Sequence, residues 1–550
     1  MQVFNTPTTK QGANEKAIKI YLSFLCGLMT VVIVTSWLRE ACHNTKKARS
    51  KESSRKFLAA RHSLLLAFQK LERRVNLGWF GRPSLGYVII IGSFIAVNAI
   101  LCSNILALRH LLNHWASRFG WMSAVNMMLC VFFGLKNTPL SRVAHISHAE
   151  LNYFHRLAGY VAVLLLALHA IVYTVHFGRQ DRLVQLLKKE DLEGIGAGVA
   201  MLVLLMGIAR HRRYELFYIS HIVAFVAAVI LTGLHRPNWA KKIPVVMSFT
   251  AAMWAVDRMI RGARMVLNLI NNSATFYSLP DGGTRVILRK PGAKKMLPGT
   301  HCFLWIPRIH PYENHPFTIV NNDSAGLELV MKSHQGFTRR VDEFSRRHSN
   351  RTTWASVDGP YGSLPDTESY DKLVLVAGGS GAAFTFGVMN RMMSRYDRVK
   401  AQSVDFIWTV RQSEHLSWFQ EHLHKISRSG SSIDVKLYVT GDSPREEASA
   451  ETPNNGRMNE GVVNYGSISH DTEGLSTSTT TNEIEDAFNI RFEKVHVEQE
   501  IGVSLEGVGT EQRVLVATCG PESLMDDVRD AADRWRNSRG LRIDIHFENF

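Results

Sequence analysis

The strongest constraint on this chain of 550 residues is a set of apolar runs, each long enough to cross a lipid bilayer. A membrane-spanning helix needs about 20 mostly apolar residues. Seven such runs fall within the first 262 residues, at 17–38, 85–108, 119–135, 151–176, 194–210, 214–235 and 243–260. The remainder, 270–550, has the shorter apolar runs and turn residues of soluble α/β domains. The sequence therefore predicts a multi-domain protein in which an α-helical transmembrane bundle precedes a soluble module.

The net charge of +16 indicates a membrane rather than a nucleic acid as partner, because the basic residues cluster at the ends of the apolar runs. Cytosolic loops of membrane proteins are enriched in Lys and Arg, and the segment 39–74 is densely basic. Alternation from this segment places the N-terminus outside and the soluble module in the cytosol. We expect a multi-pass plasma-membrane protein, with the vacuole or another internal membrane left open.

Two of the apolar runs carry pairs of histidines at the same interval. His155 and His169 lie in one run, His221 and His235 lie in another, and each pair is 14 residues apart. In a helix this interval returns to nearly the same face and separates the two rings by about 21 Å along the axis. Ionisable groups at such depths are costly and usually functional. The matched pairs predict four metal ligands that hold two stacked bis-histidine haems between two helices.

The segment 270–366 contains short β-like runs separated by turn residues, which predict an antiparallel barrel. Within it, the string HPFTI supplies a rigid X-Pro step followed by a threonine, which can present polar groups to the edge of a planar ring. The string KSHQGFT supplies residues that can meet a pyrophosphate. The candidate ligand-binding residues in this segment are His315, Pro316, Phe317, Thr318, Lys332, Gly336 and Thr338.

The segment 370–550 has the strand, loop and helix order of a nucleotide-binding domain. An apolar strand leads into a Gly-rich turn and a helix, where backbone N–H groups can bind a pyrophosphate. A second strand ends at Arg411, which is placed for the 2′-phosphate of NADP. The candidate nucleotide-binding residues are Gly378, Gly379, Ser380, Gly381, Arg411, Cys519, Gly520 and Pro521. Residues 442–485 are polar and poor in large apolar residues, so we expect a disordered insertion there.

These strings resemble those of the fungal ferric-chelate reductases of the ferric reductase/NADPH oxidase superfamily. The resemblance covers most of the chain and rests on FHRLAGY, RRYELFYISH and the histidine pairs, followed by HPFTI, GGSGAAFTFG, IWTVR and CGPESLM. It implies an N-terminal anchor and basic segment (1–84), a transmembrane haem domain (85–265), an FAD-binding β-barrel (270–366) and an α/β Rossmann-like NADPH-binding domain (370–550). The last two form a module like that of ferredoxin reductases.

The resemblance also implies a role for each candidate residue. The four histidines would be the axial ligands of two b-type haems, and residues 315–318 would hold FAD. The loop 378–381, Arg411 and residues 519–521 would hold NADPH, and the terminal Phe550 would shield the flavin ring. The chain departs from the family in two places. The Gly-rich loop continues with Ala-Ala-Phe where many relatives have Thr-Pro, and NIRFEKVHVEQ stands where a Gly-Arg-Pro is expected.

The predicted activity is electron transfer from cytosolic NADPH through FAD and two haems to an external ferric or cupric chelate, with no catalytic side chain beyond the cofactors. The family context implies an iron permease or a multicopper oxidase as a downstream partner. A superoxide-generating NADPH oxidase has the same sites and is the nearest alternative. A transporter or haem sensor without enzymatic activity is the alternative of another class, which the nucleotide and flavin strings disfavour.

Overall fold

A computed structural model describes residues 7–43, 63–64, 67–68, 70–71, 75, 83–103, 112–144, 146, 148–206, 214–235, 241–289, 296–311, 313–362, 364–394, 402–429, 433–441 and 487–548. The chain divides into two compact units, Met1–Arg261 and Gly262–Phe550, and each is described by itself. The predicted insertion at 442–485 and Phe550 lie outside the described residues.

The first unit consists of helices. They are α1 (Pro7–His43), α2 (Leu85–Ser103), α3 (Leu112–Gly134), α4 (Pro139–Val143), α5 (His148–Gly178), α6 (Lys189–Leu204), α7 (Tyr214–Leu234) and α8 (Lys242–Leu269), the last of which continues into the second unit. Each of the seven predicted apolar runs overlaps one of the longer helices, and the parts of two runs at 104–108 and 207–210 lie outside the described residues.

Five of the described helices have both the length and the hydropathy of a membrane span, namely α1, α2, α5, α7 and α8. The helices α3 and α6 do not reach both limits. Helix α6 has 16 residues and begins with acidic residues. Helix α3 carries polar residues, including Arg118 and Asn126, that face the interior of the unit. Helix α6 is therefore too short for the length limit, whereas the polar residues of α3 lower its hydropathy.

The first unit exposes apolar side chains and encloses several polar ones within an apolar core, as expected of a protein that faces lipid. Ile100, Leu164 and Val223 are each about 60% exposed, whereas Asn98 and Asn126 are buried. The buried amides take part in one network. The Tyr21 hydroxyl donates to Asn126 Oδ1 at 2.7 Å, and Asn126 Nδ2 donates to Asn98 Oδ1 at 2.8 Å. These bonds join α1, α2 and α3 where no water is available.

The second unit begins with a seven-stranded antiparallel sheet in the order β6-β1-β2-β5-β4-β3-β7. Its strands are β1 (Ser273–Leu279), β2 (Gly283–Arg289), β3 (His301–Trp305), β4 (His315–Asn322), β5 (Leu327–Lys332), β6 (Thr352–Trp354) and β7 (Ser356–Tyr361). The two edge strands, β6 and β7, are separated in the chain by Ala355 alone, so the sheet curls until its edges meet at that residue. Helix α9 (Phe337–Arg347) follows β5.

A six-stranded parallel sheet follows, in the order β11-β10-β9-β8-β12-β13. Its strands are β8 (Lys372–Gly378), β9 (Ser403–Val410), β10 (Ile433–Val439), β11 (Ile490–Arg491), β12 (Arg513–Cys519) and β13 (Arg542–Phe547). The accompanying helices are α10 (Ala382–Met393), α11 (Gln420–Arg428), α12 (Val497–Leu505) and α13 (Glu522–Arg539). In this order β8 lies between β9 and β12, and the chain connections lead away from β8 in opposite directions. An open α/β sheet binds its ligand at such a point, outside the carboxyl ends of the strands.

Helix α8 extends nine residues beyond the predicted end of its apolar run at 260. Within the second unit this extension is fixed by hydrogen bonds to β7. The Ser356 hydroxyl donates to the Met265 carbonyl at 2.7 Å, and Asn268 Nδ2 donates to the Val357 carbonyl at 2.8 Å. The sequence pattern located the apolar part of the helix and missed this polar continuation, because its stabilising partners lie about 90 residues later in the chain.

A buried ionic network joins the antiparallel sheet to the parallel-sheet domain. Glu328 on β5 is 3% exposed. Its carboxylate lies 2.6 Å from Arg285 Nε on β2 and 3.1 Å from His422 Nε2 on α11. Arg285 also binds Glu421, with 2.6 Å between nitrogen and oxygen, and these neighbours raise the pKa of Arg285 despite the burial of its guanidinium. Glu328 therefore holds together side chains from both domains.

We predict that Glu328→Ala lowers the stability of the second unit by about 3 kcal/mol. The change leaves the buried His422 imidazole without its carboxylate partner and leaves Arg285 with only the more exposed Glu421. The measurement is the temperature of flavin release from the full-length protein. The control is Glu343→Ala, which breaks an exposed pair with Arg339 and should cost less than about 1 kcal/mol. Equal losses for the two variants would contradict the assigned role of Glu328.

Candidate functional site

The helical unit brings the four predicted histidines together as two pairs. The ring centroids of His155 and His221 are 6.3 Å apart, and those of His169 and His235 are 6.2 Å apart. The first ring of each pair lies on α5. His221 lies on α7, and His235 follows α7 directly, with its N–H still donating to the Leu231 carbonyl at 2.9 Å. The four rings, at equal intervals on the two helices, thus face each other as two pairs.

The separation within each pair suits two imidazoles that flank one metal ion. An imidazole nitrogen binds a first-row metal at about 2 Å, so two rings on opposite sides of one ion have centroids about 6 Å apart. The rings do not stack, since their planes meet at 56° and 87°. Within the described residues, no cluster of three or more His, Cys, Asp or Glu residues is arranged as a metal site. A bis-histidine haem fits these donors.

Three of the rings are oriented by the backbone of a neighbouring helix. His155 Nδ1 lies 2.8 Å from the Cys130 carbonyl, His169 Nδ1 lies 2.8 Å from the Ala116 carbonyl, and His235 Nδ1 lies 2.6 Å from the Glu190 carbonyl. A carbonyl oxygen only accepts, so Nδ1 carries the proton in each ring. The lone pair of Nε2 is left for a metal. A hydrogen bond to the other ring nitrogen commonly orients metal-binding histidines in this way.

The fourth ring, His221, is held less tightly. Its Nδ1 makes no hydrogen bond of standard geometry within the described residues. Its polar neighbour is the carbonyl of Leu204, the last residue of α6. The ring also packs on Phe217, with 5.2 Å between the centroids. In the pair formed by His155 and His221, only His155 is therefore held by a standard hydrogen bond, whereas both rings of the other pair are.

The helical unit also buries a cation that the sequence analysis did not single out. Arg118 on α3 is 5% exposed. Its Nε donates to Asn14 Oδ1 at 2.7 Å and its Nη1 to the Leu101 carbonyl at 2.8 Å, and no carboxylate pairs with it in the described part of the chain. It lies two residues from Ala116, whose carbonyl holds His169. The available signal was an arginine directly before the apolar run 119–135.

In the antiparallel sheet, the residues proposed to hold FAD surround the start of β4. The His315 ring stacks on Phe337 at the start of α9, with 4.6 Å between centroids. Phe317 lies near the same ring, with 6.1 Å between centroids. Gly336 is the N-cap of α9 with φ +84°. Pro316 and Thr318 follow in β4, which pairs with β3.

The N-terminal turn of α9 is free of acidic residues, so its backbone N–H groups offer a site for a phosphate. Lys332 ends β5 only four residues before Gly336. Thr338 is already engaged, because its hydroxyl accepts from the His334 N–H at 2.8 Å. Lys332, Gly336 and Thr338 are thus close in the chain at this turn, and of the three we expect Lys332 and the backbone at Gly336 to be available to a pyrophosphate.

The residues proposed to hold NADPH meet at one edge of the parallel sheet. The register pairs Cys519 of β12 with Ala377 of β8, and Gly378 of β8 with Thr409 of β9. The carboxyl ends of the three strands therefore lie side by side, with Arg411 exposed just beyond β9. The Gly-rich turn, residues 519–521 and Arg411 share this edge.

Two of the loop glycines are required by the contact between the loops. A Cβ added at Gly378 would lie 2.6 Å from Pro521 Cδ, and one at Gly381 would overlap the Cys519 carbonyl. Gly379 differs, because it has φ +55° and open space over its Cα. Ser380 lies between Gly379 and Gly381 in a 3-10 turn that precedes α10. Gly379 is thus the glycine whose open face a ligand can approach.

Cys519 does not offer a nucleophile at this edge. Burial, together with the nearby Glu548 carboxylate, raises the pKa of its thiol to about 12. The thiol is therefore protonated at neutral pH and acts as a small packing group. Gly520 is equally confined, since a Cβ there would lie 2.9 Å from the Gly378 nitrogen.

Comparison with known proteins agrees with this order of domains. The family model described as "Ferric reductase like transmembrane component" matches residues 119–232, "FAD-binding domain" matches 270–364, and "Ferric reductase NAD binding domain" matches 370–533. The chain belongs to the ferric reductase family.

Two curated relatives of this ferric reductase-family chain illustrate the similarity. "Ferric reductase transmembrane component 1" of Schizosaccharomyces pombe is 26% identical over 62% of this chain and 67% of its own length. "Ferric/cupric reductase transmembrane component 1" of Candida albicans is 25% identical over 78% of this chain and 56% of its own length. The chain thus spans about half to two thirds of the length of these relatives. Among solved structures, a ferredoxin NADP+ reductase from Neisseria gonorrhoeae covers 50% of this chain and 97% of its own, at 14% identity and a TM-score of 0.34.

In the second unit of this family member, a histidine–glutamate group lies near the proposed nucleotide edge and was not found from the sequence. Glu548 follows β13, and its carboxylate lies 3.3 Å from His301 Nδ1 on β3 and 3.7 Å from His546 Nε2. Burial would raise the pKa of Glu548, but the bonds to His301 and His546 outweigh it and hold that pKa below its usual value. Its partner His301 lies about 250 residues earlier, so local patterns gave no signal.

We predict a pH-dependent contribution of Glu548 to stability. Its folded-state pKa lies below the unfolded value of about 4.3, so its contribution is present above that pH and is lost as the pH falls through the folded-state pKa. Glu548→Gln should lower the temperature of flavin release by about 2–4 °C at pH 7, and the difference from wild type should shrink near pH 4. Glu511→Gln, at an 86% exposed position, is the matched control. A deficit that does not vary with pH would contradict this role.

Proposed function

We propose that the chain carries electrons from cytosolic NADPH, through FAD and two b-type haems, to a ferric chelate on the opposite side of the membrane. The observation that carries this proposal is the presence of two facing histidine pairs, at 6.3 and 6.2 Å, separated by the same 14-residue interval on both helices. The names of the curated relatives, which include ferric and ferric/cupric reductases, support iron as the metal reduced and leave copper as a second acceptor.

Different residues would hold the flavin and the two haems. His315, Pro316, Phe317 and Thr318 would hold FAD, which would supply the chemistry that links a two-electron donor to one-electron acceptors. His155 with His221, and His169 with His235, would each hold one haem through two ring nitrogens. The acceptor would then receive electrons without binding the haem iron. Reduction of Fe(III) needs no proton, which agrees with a path built from ring nitrogens and backbone carbonyls rather than from an acid–base pair.

The orientation belongs to the same proposal. The basic segment 39–74 favours the cytosolic side, with the N-terminus outside and the nucleotide-binding domain inside. Donor and acceptor would then never share a compartment. The plasma membrane is the proposed location, where the product Fe(II) would pass to a permease or a multicopper oxidase.

We predict that His169→Leu abolishes one haem and lowers NADPH-dependent ferric reduction by at least about 100-fold, more than the 10- to 100-fold typical of an outer-shell partner. The matched control is His176→Leu, which alters a histidine on the same helix outside the pairs and should retain wild-type activity. The assay offers ferric chelate and oxygen separately to the purified protein with FAD. Ferric reduction that superoxide dismutase suppresses would assign the protein to the superoxide-generating class instead, and absence of both flavin and haem would favour the transporter or sensor class.

We predict that Arg411 selects NADPH over NADH. Loss of a charge-assisted hydrogen bond costs about 1.5–3 kcal/mol, so Arg411→Gln should lower kcat/KM for NADPH about 10- to 100-fold and leave that for NADH unchanged. Arg428→Gln is the control, because Arg428 ends α11 and precedes β10, at the opposite edge of the parallel sheet. An equal loss with both nucleotides would show that Arg411 does not contact the 2′-phosphate.

A further inference from the structure

A glycine lies four residues after each backbone carbonyl that holds a histidine of the two pairs by a standard hydrogen bond. The carbonyls are those of Ala116, Cys130 and Glu190. The glycines are Gly120, Gly134 and Gly194. The coincidence occurs three times on two different helices, so it requires an explanation in the geometry of the helix.

The explanation lies in the direction of the Cα–Cβ bond. In an α-helix this bond leans toward the N-terminus, so the side chain at position i+4 stands beside the carbonyl at position i. That carbonyl already accepts the N–H of residue i+4, and its second lone pair is open to a ring only if residue i+4 has no Cβ. An added Cβ would lie 2.6 Å from His169 Nδ1 at Gly120, 3.0 Å from His155 Nδ1 at Gly134, and 2.6 Å from His235 Nδ1 at Gly194.

The two helices that supply these carbonyls, α3 and α6, also repeat the interval of the histidines. On α3 the two carbonyls are 14 residues apart, at 116 and 130, and on α6 the carbonyls that face His235 and His221 are 14 apart, at 190 and 204. Helix α3 runs antiparallel to α5, and α6 runs antiparallel to α7, because in each case the earlier carbonyl faces the later histidine. The carbonyls that face the rings therefore have the same 14-residue spacing as the histidines.

We propose that Gly120, Gly134 and Gly194 are positioning residues that admit the histidine rings to these carbonyls and so present Nε2 to the haem iron. Gly120 and Gly194 act on the same pair, through His169 and His235, whereas Gly134 acts on the other pair through His155. This inference rests on the proposed function, because it assumes that both pairs hold haem.

The test compares Gly120→Ala, Gly194→Ala and Gly134→Ala with Gly198→Ala in full-length protein purified with its cofactors. Gly198 lies four residues after Gly194 on α6, and a Cβ there would meet only Leu166 Cδ2, at 4.0 Å. Haem transfer to excess apomyoglobin and the low-spin ferric EPR signals report on each haem separately and do not depend on turnover.

We expect Gly120→Ala and Gly194→Ala to accelerate loss of the same one of the two haems about 10- to 100-fold and to shift the same EPR signal. Gly134→Ala should affect the other haem, and by less, because its 3.0 Å contact can relax by a few tenths of an ångström. Gly198→Ala should match wild type. A shared effect on one haem from two different helices is not expected of a general loss of stability.

The possible failures are distinguishable. Wild-type protein that binds no haem would remove the proposed function and this inference with it. Two haems in the wild type, with Gly120→Ala and Gly194→Ala indistinguishable from Gly198→Ala, would overturn the inference alone. If neither of those variants yields folded protein, Gly134→Ala decides: a change confined to one haem supports the inference, and wild-type behaviour of both haems overturns it.

Discussion

The hydrogen bond between a histidine Nδ1 and a helix carbonyl is the interaction on which the helical unit depends. An imidazole inside a bilayer has no water to satisfy its second nitrogen, and an unsatisfied polar group there costs several kcal/mol. The bond from His169 to Ala116 and that from His155 to Cys130 remove this cost and fix α3 against α5. The bond from His235 to Glu190 does the same for α6 and α7. One kind of interaction thus contributes to the packing of four helices and orients three of the four rings.

The second unit has a different requirement, which is that its backbone can approach the proposed nucleotide closely. Gly378 and Gly381 let two strand-end loops meet, and Gly379 keeps an open face at the same edge. The network around Glu328 joins the antiparallel sheet to the parallel-sheet domain. Small residues and backbone groups predominate, which explains why few single side chains identify the site.

The sequence predicted the parts of this account that depend on periodicity. The apolar runs predicted the helices, and the equal histidine intervals predicted the paired rings. The short β-like runs predicted the antiparallel sheet, and the strand–turn–helix strings predicted the parallel-sheet domain. It did not reveal the carbonyl partners of the rings, since backbone groups leave no mark in composition. Nor did it reveal His301 beside Glu548 or Ser356 beside Met265, because such contacts join residues far apart in the chain. The length of α8 was underestimated for the same reason.

The central claim is that electrons cross the membrane through this one chain. Its most direct test uses proteoliposomes that contain the purified protein and a trapped ferric chelate, with NADPH added only outside the vesicles. The account predicts formation of trapped Fe(II), dependent on FAD and preceded by reduction of two haems per polypeptide. Reduction of chelate only when it is supplied on the same side as NADPH would contradict the account, because the electrons would then leave from the flavin without crossing the bilayer.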